Sequence, residues 1–165
     1  MCAVDITLRS YKPADFDVLH EIDQVCYEAE VAYSKRELRE YLRLRGADCV
    51  VAEAAGRVAG FCISAQQDHY GYIVTIDVLE EFRRHKVGTA LLDEIERRLI
   101  ASGVHEVRLE TATDNDSAVA FWQKHGYRKR GIRKNYYPNG RDAFAMIKTL
   151  ALAETTAKKK NDTEN

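Results

Sequence analysis

Seven consecutive residues combine basic side chains with a glycine where a strand pattern gives way to a helix pattern. The amides at the start of a helix lack partners within the helix, and the helix dipole favours a negatively charged ligand there. Gly88 lets a backbone approach such a ligand closely. Two interpretations fit this segment: a phosphate or pyrophosphate site, or a solvated basic turn that starts a helix. Its residues are Arg83, Arg84, His85, Lys86, Val87, Gly88 and Thr89.

The elements that must position this segment follow from the spacing of apolar residues. A short strand at residues 6–10 precedes an amphipathic helix with apolar residues from Phe16 to Cys26, and a capping box of Ser34 and Glu37 starts a second helix that ends before Gly46. Strand and helix then alternate. We expect a mixed α/β (α+β) fold with a mostly antiparallel sheet of about seven strands and about four helices. The later strands are predicted at residues 49–53, 58–65, 70–78, 106–111, 127–137 and 141–150. One later helix is predicted at 87–102, and another begins at a cap supplied by Asp114, Asn115 or Asp116 and ends at Gly126.

The composition excludes several classes of partner. The 165 residues carry 25 basic and 26 acidic side chains, and this net charge of −1 argues against a broad basic field for nucleic acid or membrane surfaces. No apolar run approaches a membrane span, and Asp5 and Arg9 stand where a signal peptide would be apolar. The four cysteines form no CxxC pair, so we expect no metal site. We predict a cytoplasmic protein with a single domain at residues 1–152 and a polar, Lys-rich C-terminal tail at 153–165.

The basic segment resembles the acyl-CoA loop of the GCN5-related N-acetyltransferases, the GNAT superfamily. The pattern of that loop is Gln or Arg, two residues, Gly, one residue, and then Gly or Ala. Arg83 and Gly88 match its outer positions, whereas Lys86 stands in place of the first glycine. The chain further resembles RimI-type N-terminal acetyltransferases of ribosomal proteins, through Leu109, Glu110, Asn115, Gly126, Tyr127, residues 133–138, residues 140–143 and Met146.

This resemblance implies a sheet whose parallel middle strands splay apart, and acetyl-CoA as the cofactor. It implies that the pantetheine arm lies along the strand Ile76, Asp77 and Val78, and that the Val78 amide binds the thioester oxygen. The pyrophosphate would lie on residues 83–89. Asn115 and Trp122 would also contact the cofactor, although Asn115 fits a plain N-cap and Trp122 fits core packing equally well.

The resemblance also implies roles for acidic and aromatic residues. Glu110 matches the general base of the family, and its alternative is a strand glutamate paired with Arg108 or another neighbour. Trp122 occupies the place of the family's tyrosine acid, and an indole N–H cannot usefully protonate sulfur. We therefore assign the acid to Tyr136, with Tyr137 and Tyr127 as alternatives. The walls of the acceptor site are predicted to include Tyr27, Tyr33, Tyr136 and Tyr137.

The resemblance implies an acetyl-CoA-dependent N-acetyltransferase that acts by direct transfer in a ternary complex. The implied acceptor is the α-amine of a protein or peptide N-terminus, with ribosomal proteins as one candidate, and the enzyme is expected to be a monomer or weak homodimer. One alternative is an acetyltransferase that acts on a lysine or a small-molecule amine. Another is a noncatalytic acyl-CoA-binding or interaction module, because one fold supports many functions.

Overall fold

A computed structural model describes residues 3–151, which form one seven-stranded sheet in the order β1-β2-β3-β4-β5-β7-β6. The polar tail predicted at residues 153–165 lies outside the described residues, and the domain predicted at 1–152 stays a prediction. The strands are β1 (Ile6–Ser10), β2 (Asp48–Ala54), β3 (Arg57–Gln67), β4 (Tyr70–Val78), β5 (Glu106–Ala112), β6 (Arg128–Arg133) and β7 (Ala143–Thr149). The helices are α1 (Phe16–Cys26), α2 (Lys35–Arg43), α3 (Val87–Ala101) and α4 (Asp116–Lys124).

Helices cover both faces of the sheet, and the sheet separates the apolar core into two clusters. One cluster packs α3 and α4 against the sheet and includes Leu91, Leu109 and Trp122. The other packs α1 and α2 against β2 and β3 and includes Leu19 and Phe61. The longest helix described is α3, with 15 residues, and no helix within residues 3–151 is both long and apolar enough to cross a membrane.

Among the strands of residues 3–151, β4 and β5 form the one parallel pair, and their pairing is short. It joins Tyr70, Gly71 and Tyr72 to Glu106, Val107 and Arg108 and then stops, although both strands continue. The other pairs, including β3 with β4 and β5 with β7, are antiparallel and run along nearly the whole strands. The splayed parallel strands expected from the sequence are therefore present, and a gap opens beyond Tyr72.

Two strand boundaries differ from the sequence prediction. The strands predicted at residues 127–137 and 141–150 are β6, which ends at Arg133, and β7, which begins at Ala143. The reason is a longer hairpin connection in which Asn135 adopts a positive φ of 50° and its amide donates to the Asp142 carboxylate at 2.9 Å. This connection takes Tyr136 and Tyr137 out of the strand.

A buried polar network joins α1 to β4. Asp23 and Asp77 are 0% and 1% exposed, and each carboxyl group lies close enough to change the pKa of the other, while Asp23 Oδ1 and Asp77 Oδ2 have no hydrogen-bond partner within residues 3–151. Asp77 also accepts from the Thr75 hydroxyl at 2.6 Å, and Asp23 accepts from the Tyr33 amide at 2.7 Å. Burial, followed by the neighbouring Asp23 carboxylate, raises the pKa of Asp77 to about 8. Because this pKa lies above neutral pH, Asp77 is protonated there.

The first prediction concerns this proton. The pKa of Asp77 rises from 3.8 to about 8 on folding, so the folded chain binds the proton more tightly. Its contribution to stability is full below pH 3.8 and is lost as the pH rises through about 8. Asp77→Asn cannot lose a proton, and its free energy of unfolding relative to the original chain should increase between about pH 4 and about pH 8 and stay level above that. Urea unfolding at several pH values measures this difference.

The matched control is Asp93→Asn, which changes an exposed carboxylate on α3. Its free energy of unfolding should stay at a constant offset from that of the original chain across the same pH range. Parallel curves for Asp77→Asn and the original chain would contradict a raised pKa of Asp77.

Candidate functional site

The basic segment forms the turn that leads from β4 into α3. Arg84 and Lys86 adopt positive φ values of 66° and 63°, a left-handed conformation that is costly for residues other than glycine. Lys86 is the N-cap of α3, and its side chain does not cap the helix. The Ala90 amide is the first to bond within the helix, to the Lys86 carbonyl at 3.0 Å. The amides of residues 87–89 thus have no acceptor within the helix and can bind an anion.

Two contacts fix α4 against the start of α3. A Cβ built on Gly88 would lie 3.4 Å from the Phe121 ring, so Gly88 allows α4 to pack closely there. The Thr89 hydroxyl lies 3.1 Å from the His125 ring at the end of α4. Val87 is buried and anchors the turn, whereas Arg84 and Lys86 are exposed. The turn therefore offers amides and cations on a supported backbone, which is what a pyrophosphate requires.

The Val78 amide faces the gap between β4 and β5. The Leu79 amide donates to the Ala59 carbonyl of β3 at 2.9 Å, and successive residues of a strand direct their polar backbone groups to opposite sides. The Val78 carbonyl accordingly accepts from the Arg83 side chain at 3.1 Å instead of from β3. Because β5 has already parted from β4, the Val78 amide is available to a ligand in the gap. The same alternation places the Ile76 amide there, whereas the Asp77 side chain is buried towards α1.

Glu110 lies on β5, two residues beyond the last residue paired with β4. Its side chain is only 9% exposed. Its carboxylate accepts hydrogen bonds from the Tyr72 hydroxyl and, at 3.4 Å, from the Tyr136 hydroxyl, and it pairs with Arg133 at 3.0 Å. Arg108, the neighbour considered from the sequence, pairs instead with Glu106. Three donors thus fix the position of this carboxylate beside the open gap.

Sequence reasoning missed Tyr72, although it touches both Glu110 and Tyr136. Tyr72 alternates with buried residues along β4. This pattern predicts the face of the sheet on which Tyr72 lies, but not that its hydroxyl contacts Glu110. Burial, followed by its bond to Glu110, raises the pKa of Tyr72 well above its usual range, and burial also raises the pKa of Tyr136. Both hydroxyls therefore stay protonated and donate to the carboxylate.

The predicted acceptor walls approach each other at the same end of the sheet. Tyr27 donates towards the Ile76 carbonyl and Tyr33 towards the Val74 carbonyl, each at 3.5 Å, so both lie against β4. Tyr136 and Tyr137 pack edge to face, with ring centroids 5.0 Å apart, in the β6–β7 connection. An ion pair between Glu28 and Arg141, 3.0 Å long, joins the two walls.

Asn115 and Trp122 lie on α4. The Asn115 side chain accepts from the Ala118 amide at 3.2 Å and is the N-cap of α4. Trp122 is 5% exposed and packs edge to face on Phe121 and Tyr127 within the core. Their contact with the cofactor stays a prediction, and so does the assignment of Tyr136 as the acid.

Comparisons with known proteins show relatives of similar sequence and similar fold. An N-alpha-acetyltransferase of Saccharolobus solfataricus is 27% identical over 159 residues, which cover 88% of this chain and 94% of the relative. The crystal structure of Ard1 from Thermoplasma volcanium superposes with a TM-score of 0.82 at 28% identity, covering 88% of this chain and 98% of that chain. The ribosomal-protein-S18-alanine N-acetyltransferase of Escherichia coli shares the fold, with a TM-score of 0.81 at 24% identity and coverage of 92% and 98%.

The sequence model of the Acetyltransferase (GNAT) family matches residues 16–127, which is more than half of the chain. The resemblance, the mixed α/β fold, the N-acetyltransferase activity and acetyl-CoA as the cofactor, all predicted from the sequence, are confirmed. The chain that holds Glu110 beside the gap and the free amides at the start of α3 belongs to the acetyltransferase (GNAT) family.

Proposed function

We propose that this chain acetylates the α-amine of a protein or peptide N-terminus by direct transfer. The observation that carries this proposal is the position of Glu110, a nearly buried carboxylate at the open gap between β4 and β5. The names of the S. solfataricus and E. coli relatives support an α-amine as acceptor. The predictions of a cytoplasmic location and of a monomer or weak homodimer stay predictions.

The ion pair between Arg141 and Glu28, which joins the two acceptor walls, favours a chain terminus over an internal lysine as the acceptor. Arg141 reaches across from the β6–β7 connection to Glu28 in the segment between α1 and α2, and it also pairs with Asp114 at 3.4 Å. A lysine within a polypeptide would need an open groove on both sides of the site. A terminus needs only one entrance, because no chain continues beyond it.

Acetyl-CoA supplies an acetyl group activated as a thioester, and this chain's residues do the rest. The free amides of residues 87–89, with the basic side chains of the turn, hold the pyrophosphate. Glu110 takes a proton from the amine, because an α-amine with a pKa near 8 is mostly protonated at neutral pH. The Val78 amide donates to the carbonyl oxygen as negative charge develops on it, while the new C–N bond forms and the C–S bond breaks. Tyr136 is the proposed donor of a proton to the departing thiolate, and the second proton that the nitrogen loses as it becomes an amide restores the Tyr136 hydroxyl.

Cys26 does not offer a covalent route. Its thiol lies near the end of β4, donating towards the Val78 carbonyl. Burial, followed by the Asp77 carboxyl, raises the pKa of Cys26 to about 11. The thiol therefore stays protonated at neutral pH and is a poor nucleophile, which supports direct transfer between the bound substrates.

Glu110→Gln tests the proposed base. The amide keeps the shape of the side chain but cannot take a proton, so kcat should fall about 10²- to 10⁴-fold with little change in the KM for acetyl-CoA. Steady-state kinetics from about pH 6 to about pH 9 measure both constants. The control is Glu21→Gln, an exposed residue of α1, which should leave kcat unchanged. Equal activity of Glu110→Gln and the original chain across this range would remove Glu110 from the role of base.

Lys86→Gly tests the cofactor turn. Glycine adopts the positive φ of Lys86 without a steric penalty, so the variant should be about 1 kcal/mol more stable. Affinity for acetyl-CoA, measured by calorimetry, should then be held or raised, because the turn keeps the shape that presents its amides. Lys86→Ala removes the same charge and keeps the strain, and the two variants together separate charge from backbone. If both variants lose affinity equally, the lysine charge and not the backbone binds the cofactor.

Paired peptides test the acceptor class. One peptide has a free N-terminus and no lysine, and its partner has the same sequence with a blocked N-terminus and one internal lysine. We expect acetylation of the first and none of the second, because only the first presents an α-amine. Mass spectrometry of the products locates the acetyl group. Acetylation of the lysine peptide alone would assign the enzyme to lysine acceptors.

A further inference from the structure

A surface cavity of about 380 Å³ lies over β5, β7 and β6 and is continuous with Glu110. Burial alternates along β5, so that Val107, Leu109 and Thr111 are buried whereas Arg108 and Glu110 are partly exposed, and both of these charged residues line the cavity. We call it the arginine groove, and its charged lining is Arg108, Glu110, Arg130 and Arg133.

The groove exists because its floor is made of small residues. Ala145 of β7 lies between Glu110 and Gly131, its direct neighbours on the adjacent strands. Neither Ala145 nor Gly131 fills the space above the sheet, and a Cβ built on Gly131 would meet nothing within 4 Å. Larger side chains at these two positions would close the groove.

A β-bulge adds the third arginine. The register between β6 and β7 shifts between Lys129 and Gly131, which leaves Arg130 without a partner residue on β7. Both Arg130 and Gly131, which flank this shift, line the groove. Bulges of this kind often redirect a side chain next to an active site.

The charges of the groove are not balanced from within the chain. Arg108 pairs with Glu106 and Arg133 pairs with Glu110. Arg130 is exposed, and no ion pair or hydrogen bond joins its side chain to any residue between 3 and 151. Three guanidinium groups and one carboxylate therefore line a groove that favours a carboxylate ligand, since arginine binds carboxylates in two-point hydrogen bonds.

We propose that the arginine groove binds acidic side chains close to the N-terminus of the acceptor polypeptide, so that the enzyme prefers acceptors with Asp or Glu among positions two to four. This inference rests on the proposed function, because the α-amine of the same polypeptide must reach Glu110. Arg108 is two residues from Glu110, or about 6.6 Å along the strand, and an extended acceptor covers that distance in about two residues.

The experiment compares two acceptor peptides with free N-termini that differ only at positions two to four, Asp and Glu in one and Asn and Gln in the other. The original chain should show a kcat/KM about tenfold higher for the acidic peptide, and the preference should shrink as salt rises from about 0.05 to about 0.3 M. Arg130→Glu should abolish or reverse the preference while leaving kcat/KM for the neutral peptide within about twofold. Arg130 is the residue changed because it does not touch Glu110.

Arg45→Glu is the matched control, because Arg45 is exposed between α2 and β2 and makes no ion pair within the described residues. It should keep the full preference for the acidic peptide. A second readout does not depend on turnover: binding of the acidic peptide already acetylated at its N-terminus, measured by fluorescence anisotropy, should weaken in Arg130→Glu and not in Arg45→Glu.

The outcomes separate this inference from the proposed function. Acetylation of neither peptide would overturn the proposed function. Equal kcat/KM for both peptides, or equal losses on both in Arg130→Glu, would overturn the groove and leave the function intact. Arg130-dependent binding of a single-stranded RNA oligonucleotide, with no preference between the peptides, would make the groove a nucleic-acid surface and overturn the inference.

Discussion

The parting of β4 from β5 after Tyr72 is the constraint on which the site depends. A parallel pair that continued would use the backbone groups of both strands, and the gap would close. Here side chains take the carbonyls that β5 leaves free. Tyr33 donates to Val74, Tyr27 to Ile76 and Arg83 to Val78, over 3.5, 3.5 and 3.1 Å. These three carbonyls are satisfied from within the chain, so the strand edge is buried without unpaired acceptors. The amides on the same edge have no such partner and remain available to a ligand.

Two of those side chains depend on the buried carboxyl pair. The Asp23 carboxyl holds the Tyr33 amide, and the Tyr27 hydroxyl lies 3.2 Å from Thr75, which donates to Asp77. Burying two acidic groups is expensive unless they are neutralised or find donors; Asp77 is protonated at neutral pH, Thr75 donates to it, and the Tyr33 amide donates to Asp23. It therefore fixes the end of α1 to the strand whose amide faces the substrate. A network of this kind is costly to remove and specifies a single position for the acceptor wall.

The sequence predicted the elements better than their contacts. Apolar periodicity locates α1 and α3, and the capping box of Ser34 and Glu37 is present as expected, because these signals are local. The approach of Tyr72 to Glu110 depends on the parallel register of Tyr72 with Arg108, which no local pattern encodes. The position of Arg130 depends on a bulge, and the pairing of Asp23 with Asp77 on the packing of α1. Resemblance could suggest Val78 as a donor, but only the neighbouring Leu79 bond to β3 gives the direction of its amide.

Glu110 must exchange one of its hydrogen-bond donors for the proton of the amine. A carboxylate that already accepts from Tyr72, Tyr136 and Arg133 must give up a donor before it can receive a proton from an amine. Tyr72 is held in the sheet, whereas the Arg133 side chain is 60% exposed and extends from β6, an edge strand whose residues are all exposed. Arg133 is therefore the donor that moves at least cost. An acidic side chain in the arginine groove would offer Arg133 a new partner within reach, since Arg133 lines the groove as well. Binding of an acidic acceptor would then free Glu110 to take a proton, because the Arg133 guanidinium group would leave Glu110 to pair with the acceptor.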